Sequence, residues 1–215
     1  MPRLPTPPLA ALPPDLSAVI ADAESYMGFV ANDGLTMAYK PDILRAAGPF
    51  MRAIYRADTV SFELKRLIAM MSSWAAGCQY CVAHTAHGAA KLGVAESKIA
   101  ALAEFETHGA FTPAERAALR VARAAGQTPN AVTDEDFADL RRHFSTEQIV
   151  EIVAVIAMFG FLNRWNATLA TELESSPLNF ARRALTAQGW SVGPHGKSDP
   201  TAPQPQSSGS TSQRK

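Results

Sequence analysis

Cysteine is nearly missing from this chain, with two in 215 residues. No second Cys-x-x-Cys exists to complete a four-cysteine zinc site. The 47% hydrophobic content supplies a core that needs no staples. An excess of either charge is missing too. Twenty Lys and Arg balance twenty Asp and Glu, and no long basic run occurs, so nothing draws the chain to nucleic acid or to an anionic membrane. Long apolar runs are scarce. The most apolar segment, 149–162, has Glu147, Glu151 and Arg164 at its borders. It is shorter than the roughly 20 residues of a membrane span, and reads as a buried core helix. At the N-terminus, Pro5-Thr6-Pro7-Pro8 breaks the apolar stretch that a secretory signal requires. A cytoplasmic protein is the resulting expectation. Strand signals are also nearly absent, because Val, Ile and Thr are scattered rather than alternating.

What is present is helix. Ala, Leu, Glu and Arg dominate in helix-length blocks, so the fold class is all-α. Helices are predicted at 15–29, 41–55, 61–76, 79–92, 97–105, 113–125, 134–143 and 146–173. Thr112-Pro113-Ala114-Glu115 offers an N-cap, a first-turn proline and a capping-box glutamate. Ser145 with Gln148 makes a second such box, and Thr133 stands three residues before Asp136. Gly93 follows Leu92 as a left-handed cap for the helix before it. The predicted organisation is a proline-rich extension (1–14), one all-α domain (15–190) and a C-terminal tail (191–215). From Gly193 onward that tail holds mostly Gly, Pro, Ser, Thr and Gln and is expected to stay disordered.

Both cysteines fall in one motif, Cys78-Gln79-Tyr80-Cys81-Val82-Ala83-His84. In a reducing compartment such a pair is more often catalytic or metal-binding than structural. At about 100° per residue, Cys81 lies about 60° round from Cys78 and one turn up, so the sulfurs can join with little backbone movement. Gly77 frees the entry turn. Free N–H groups at a helix start favour thiolate, the species that attacks a peroxide or a disulfide. A single zinc ion cannot use Cys78, Cys81, His84 and His87 together, because nine residues of helix rise about 13.5 Å. Haem attachment needs histidine directly after the second cysteine, where Val82 stands. His84 is the nearest imidazole and a candidate proton acceptor for a thiol; a helix-face histidine bonded to a carbonyl is the alternative. His87 reads as surface or packing, as do His108, His143 and His195. Tyr80 and Trp74 flank and shield the motif. Asn163-Arg164-Trp165-Asn166 is a polar and aromatic insertion, either a pocket wall or a helix leaving the core.

The run Gly77 to His87 resembles the redox motif of the carboxymuconolactone decarboxylase and alkylhydroperoxidase D (AhpD-like) superfamily. Residues 64–74 resemble the family's helix before that motif, and 28–55 and 161–166 are similar to its larger members, so the likeness covers roughly residues 15–180. The resemblance implies an AhpD-like helical bundle forming homo-oligomers (dimer, trimer or hexamer). It also implies hydroperoxide reduction by the Cys pair with no metal, haem or other cofactor, and an external thiol reductant. The decarboxylase branch lacks the dithiol. Two positions depart from the pattern: Thr85 stands where the family commonly has histidine, and Arg66 where it has glutamate. Glu63, one turn before Arg66, is the candidate substitute in the proton relay. Arg66 would itself favour thiolate.

The expected function is therefore a thiol-dependent hydroperoxide reductase with Cys78, Cys81, His84 and Glu63 as its catalytic residues. Helix-terminus physics favours Cys78 as the attacking sulfur, whereas the resemblance favours Cys81. A dithiol adaptor serving a peroxiredoxin, a cofactor-free lyase and a non-catalytic helical oligomer stand as alternatives.

Overall fold

The computed structural model describes residues 1–56 and 59–197, and among these there are helices and no strand. In chain order the helices are α1 (Pro14–Met27), α2 (Asn32–Met37), α3 (Pro41–Arg56), α4 (Phe62–Ala75) and α5 (Gln79–Lys91). They continue with α6 (Glu96–Ala100), α7 (Pro113–Ala125), α8 (Asp134–His143), α9 (Thr146–Leu169) and α10 (Ser175–Ala184).

α4 is the axis of the bundle. Ser61 caps it, its hydroxyl accepting from Leu64 N–H at 3.2 Å. Residues 64–73 are then buried without interruption, because α5, α7 and α9 pack around the helix. Two of those buried residues are charged. Lys65 forms an ion pair with Glu151 of α9, and the same carboxylate accepts from the backbone of Thr59 and Val60. The pair ties α4, α9 and the segment before α4 together at one buried point. At the far end, α7 stops at Gly126, where a Cβ would stand 2.6 Å from the Ser72 carbonyl oxygen. Only glycine allows that approach.

The capping boxes at Thr112/Glu115 and Ser145/Gln148 both form, and Thr133/Asp136 makes a third. They start α7, α8 and α9 where the spacing predicts. α9 is long and apolar enough to cross a membrane, yet Ile152, Val155 and Met158 are fully buried within the protein and it carries the buried Glu151. It is a core helix.

Three differences from the sequence reading stand out. The predicted helix 146–173 ends at Leu169, where Ala170 takes a left-handed conformation (φ 49°) and the chain turns. The short α2 and the later α10 are additions to the predicted elements. Finally, the expectation that the chain from 191 onward packs nothing is corrected for its first residues. His195 is buried and its carbonyl accepts from Leu173 N–H at 2.9 Å; just before it Trp190, the last residue of the predicted domain, is buried too and donates from Nε1 to the Gln79 carbonyl at 3.1 Å. One aromatic ring and one imidazole are enough to anchor the segment. The rest of the predicted tail, 198–215, lies outside the described residues.

Candidate active site

The dithiol sits where α4 hands the chain to α5. Gly77 takes φ 74°, a conformation open to glycine, and reverses the chain in one step. Cys78 then becomes the N-cap of α5 and Cys81 lies in its first turn. Both are free thiols and both are buried, at 0% and 2% exposure.

Their surroundings differ. A cavity of about 350 Å³ opens among α1, α3, α4 and α5, and Cys81 forms part of its wall together with Asp33, His84 and Arg66. Cys78 is not among the residues lining it and stands behind Cys81. The neighbouring Cys81 side chain lowers the Cys78 pKa, against the effect of burial. Burial pushes the Cys81 thiol well up. Of the two sulfurs, Cys78 is thus the more acidic, while Cys81 is the one that lines the cavity. Asn166 of α9 adds a further hydrogen bond, Nδ2 to Cys81 Sγ at 3.5 Å, and reaches Asp33 Oδ2 at 3.3 Å.

His84 lies one turn beyond Cys81. Its Nε2 meets Glu174 Oε2 at 2.6 Å, and its ring stacks on Tyr80 with centroids 4.2 Å apart. Glu174 is the N-cap residue of α10, and its other oxygen accepts from Tyr80 Oη at 2.8 Å and from Asn32 N–H. Burial opposes protonation of His84, but the charge and hydrogen bond of Glu174 outweigh it, so the imidazole pKa is raised. Glu174 is held below the usual carboxylate range: burial works against this, and the charge of His84 prevails. The two form an ion pair beside the dithiol. Asp33, by contrast, has its pKa raised by burial.

Of the four residues singled out in the sequence, Cys78, Cys81 and His84 come together on α5. Glu63 does not join them. It is exposed in the first turn of α4 and does not line the cavity, whereas Arg66, one turn on, does. Thr85 is also turned away, its hydroxyl donating to the Cys81 carbonyl at 2.7 Å. The residues that sequence reasoning missed are Asp33, Glu174 and His195, whose ring tilts against Tyr80 at 5.7 Å. None carries a local signal, since each reaches the site from a different part of the chain. Asn166 lies within the insertion considered as a pocket wall; it is fully buried and reaches Cys81 without lining the cavity.

The comparisons agree with this architecture. The carboxymuconolactone decarboxylase family model matches residues 41–124, a stretch that holds the dithiol. Over 80% of its length the chain is 40% identical to the debrominase Bmp8, covering 92% of that protein with a TM-score of 0.76. The chain belongs to the carboxymuconolactone decarboxylase family. Within it the fold is AhpD-like. An AhpD-core, peroxidase-related protein from Ralstonia eutropha JMP134 is 29% identical, with a TM-score of 0.74 over 84% of this chain and 95% of that one. YdfG of Bacillus subtilis is 27% identical over 117 residues, which is 54% of this chain and 78% of YdfG. A cysteine-to-alanine variant of Bmp8 has been captured with 2,3,4-tribromopyrrole, at 39% identity to the present chain.

Proposed function

We propose that this AhpD-like protein is a dithiol reductase that passes two electrons from Cys78 and Cys81 to an organic hydroperoxide held in the cavity. The observation that carries the reading is the placement of the two sulfurs. Cys81 lines the cavity, and Cys78 stands three residues before it at the N-cap of the same helix, outside the cavity lining. One sulfur can attack and the other can resolve.

The protons balance with the groups present. Cys81 passes its proton to the Cys78 thiolate and attacks the terminal peroxide oxygen. The O–O bond breaks, Cys81 becomes a sulfenic acid, and the alkoxide takes the proton back from Cys78. The Cys78 thiolate then attacks the Cys81 sulfur and expels hydroxide, which the His84 imidazolium protonates to water. Two equivalents of an external thiol reduce the disulfide and restore the resting protonation. His84 and Glu174 thus take the place in the proton relay for which Glu63 is the candidate substitute.

A second reading is favoured by the similarity to Bmp8: the same dithiol would remove halogen from an aromatic ring. Cys81 would take the halogen, the ring would gain a proton, and Cys78 would displace halide to close the same disulfide. One experiment separates the readings. Reduced protein is mixed with cumene hydroperoxide or with 2,3,4-tribromopyrrole and followed by intact mass. Loss of two hydrogens with release of cumyl alcohol supports peroxide reduction; loss with bromide release supports the second reading. If only an oxidised thiol protein closes the disulfide, the adaptor role replaces both.

A further inference from the structure

Arg66 is the least explained charge in the protein. It is 7% exposed, and no carboxylate lies within ion-pairing distance among the described residues. Its guanidinium lies over the rings of Tyr55, Phe62 and Tyr26, at 4.6, 5.1 and 5.9 Å from their centroids. Nη1 donates to Tyr55 Oη at 3.3 Å, and Nε, although buried, has no partner. Burial keeps both phenols protonated, so neither supplies a counter-charge. Cation–π contacts offset part of the desolvation of such a group and leave its donors unsatisfied.

Arg66 also lines the cavity that holds Cys81. Of the other arginines there, Arg52 pairs with Asp22 at 2.8 Å, although its Nε is also buried without a partner, and Arg56 is exposed. The carboxylate of Asp33 is occupied by Gly34 N–H and Asn166. Space for the guanidinium is built into α5, because a Cβ at Gly88 would stand 3.0 Å from Arg66 Cζ. Gly88 is seven residues from Cys81, so both face the same stripe of the helix, about 10 Å apart along its axis. The cavity that Arg66 and Cys81 share measures about 350 Å³ and is walled beside Arg66 by Tyr26, Tyr55 and Phe62, room and surface for a small ring bearing an acidic group.

We infer that the cavity selects an anionic, single-ring aromatic substrate whose acidic group pairs with Arg66 while its reactive atom faces Cys81. The inference rests on the reading that this cavity is the substrate chamber of the dithiol. It gives the departure from the family's usual glutamate a purpose, since a carboxylate at position 66 would repel the same guest. A planar carboxylate matches the fork of a guanidinium.

The test uses the full reduced chain and two isosteric probes, benzoate and benzamide, titrated by calorimetry. Benzoate should bind at least about tenfold tighter than benzamide, equivalent to about 1.4 kcal/mol. Arg66→Met should bring the two within about twofold, and Arg66→Lys should keep part of the preference. Gly88→Ala, which crowds the guanidinium without removing it, should weaken benzoate alone and serves if Arg66→Met does not fold. Equal binding of the probes to the wild type, binding of neither, or a preference that survives Arg66→Met and Gly88→Ala overturns the inference. If benzoate is selected but no hydroperoxide or haloaromatic is reduced, the reductase reading falls and the Arg66 assignment stands. Turnover without any charge preference removes the Arg66 assignment alone.

Discussion

Two cysteines three residues apart have different surroundings: Cys81 lines the cavity, and Cys78, outside it, has the lowered pKa. Cys78→Ser removes the acceptor of the Cys81 proton as well as the resolving sulfur, so it should react more slowly and stop at one equivalent of peroxide with a sulfenic acid on Cys81, trapped by dimedone and located by peptide mass. Cys81→Ser should leave Cys78 unmodified on the same timescale. Labelling in the reverse pattern would move the attack to Cys78. The neighbouring ion pair has a pH signature. His84 is raised above its ordinary 6.5, so its contribution is complete below that value and is lost as pH rises through the elevated pKa. Glu174 is lowered from 4.5, so its contribution is present above that value and lost as pH falls through the depressed pKa. The stability gap between wild type and Glu174→Gln should therefore be widest between about pH 4.5 and 6.5 and narrow on both sides. Denaturant titrations across this range check it, and a flat gap would show that the pair is not ionised.

Among the helices, α4 is the element whose loss the fold tolerates least. Lys65→Met leaves Glu151 charged, buried and without its cation. It should cost about 3–5 kcal/mol in urea unfolding, and Lys65→Met with Glu151→Leu should recover much of that. Gly126→Ala drives a methyl into the Ser72 carbonyl and should cost about 1–3 kcal/mol. The same elements show what a sequence displays. α7 and α8 begin and end where predicted because Thr112, Pro113 and Thr133 act within one turn of the residues they cap. The end of α9 is illegible in the sequence, since Ala170 adopts a left-handed conformation that alanine does not advertise. The six-residue α2 is illegible too. It contains Gly34 and is held by tertiary packing of Leu35 and Met37, not by propensity.

At the scale of the molecule, the site is a convergence. Asp33 comes from α2, Arg66 from α4, the dithiol and His84 from α5, Asn166 from α9 and Glu174 from the N-cap of α10. The α5 part is readable because its spacing is its geometry. The partners are not, because Glu174 is 90 residues from His84 in sequence and meets it only after the bundle closes. Glu63 is near the motif along the chain, but the direction of α4's faces turns it away. The final described segment belongs to this convergence through Trp190 on the Gln79 carbonyl and His195 against Tyr80. Trp190→Ala should lower the melting temperature and slow disulfide closure together, since it loosens the first turn of α5. The expected homo-oligomer is checked by sedimentation of the 23.0 kDa chain; assembly should bury the outer positions of α9, where Val150 and Phe161 are exposed.

The most direct test of the account is an intact-mass titration of the fully reduced protein with cumene hydroperoxide. The account predicts loss of two hydrogens per chain at one equivalent of oxidant, with one cumyl alcohol released and the loss abolished in both Cys78→Ser and Cys81→Ser. Unchanged mass in the wild type under excess peroxide, with both thiols still free, would contradict it.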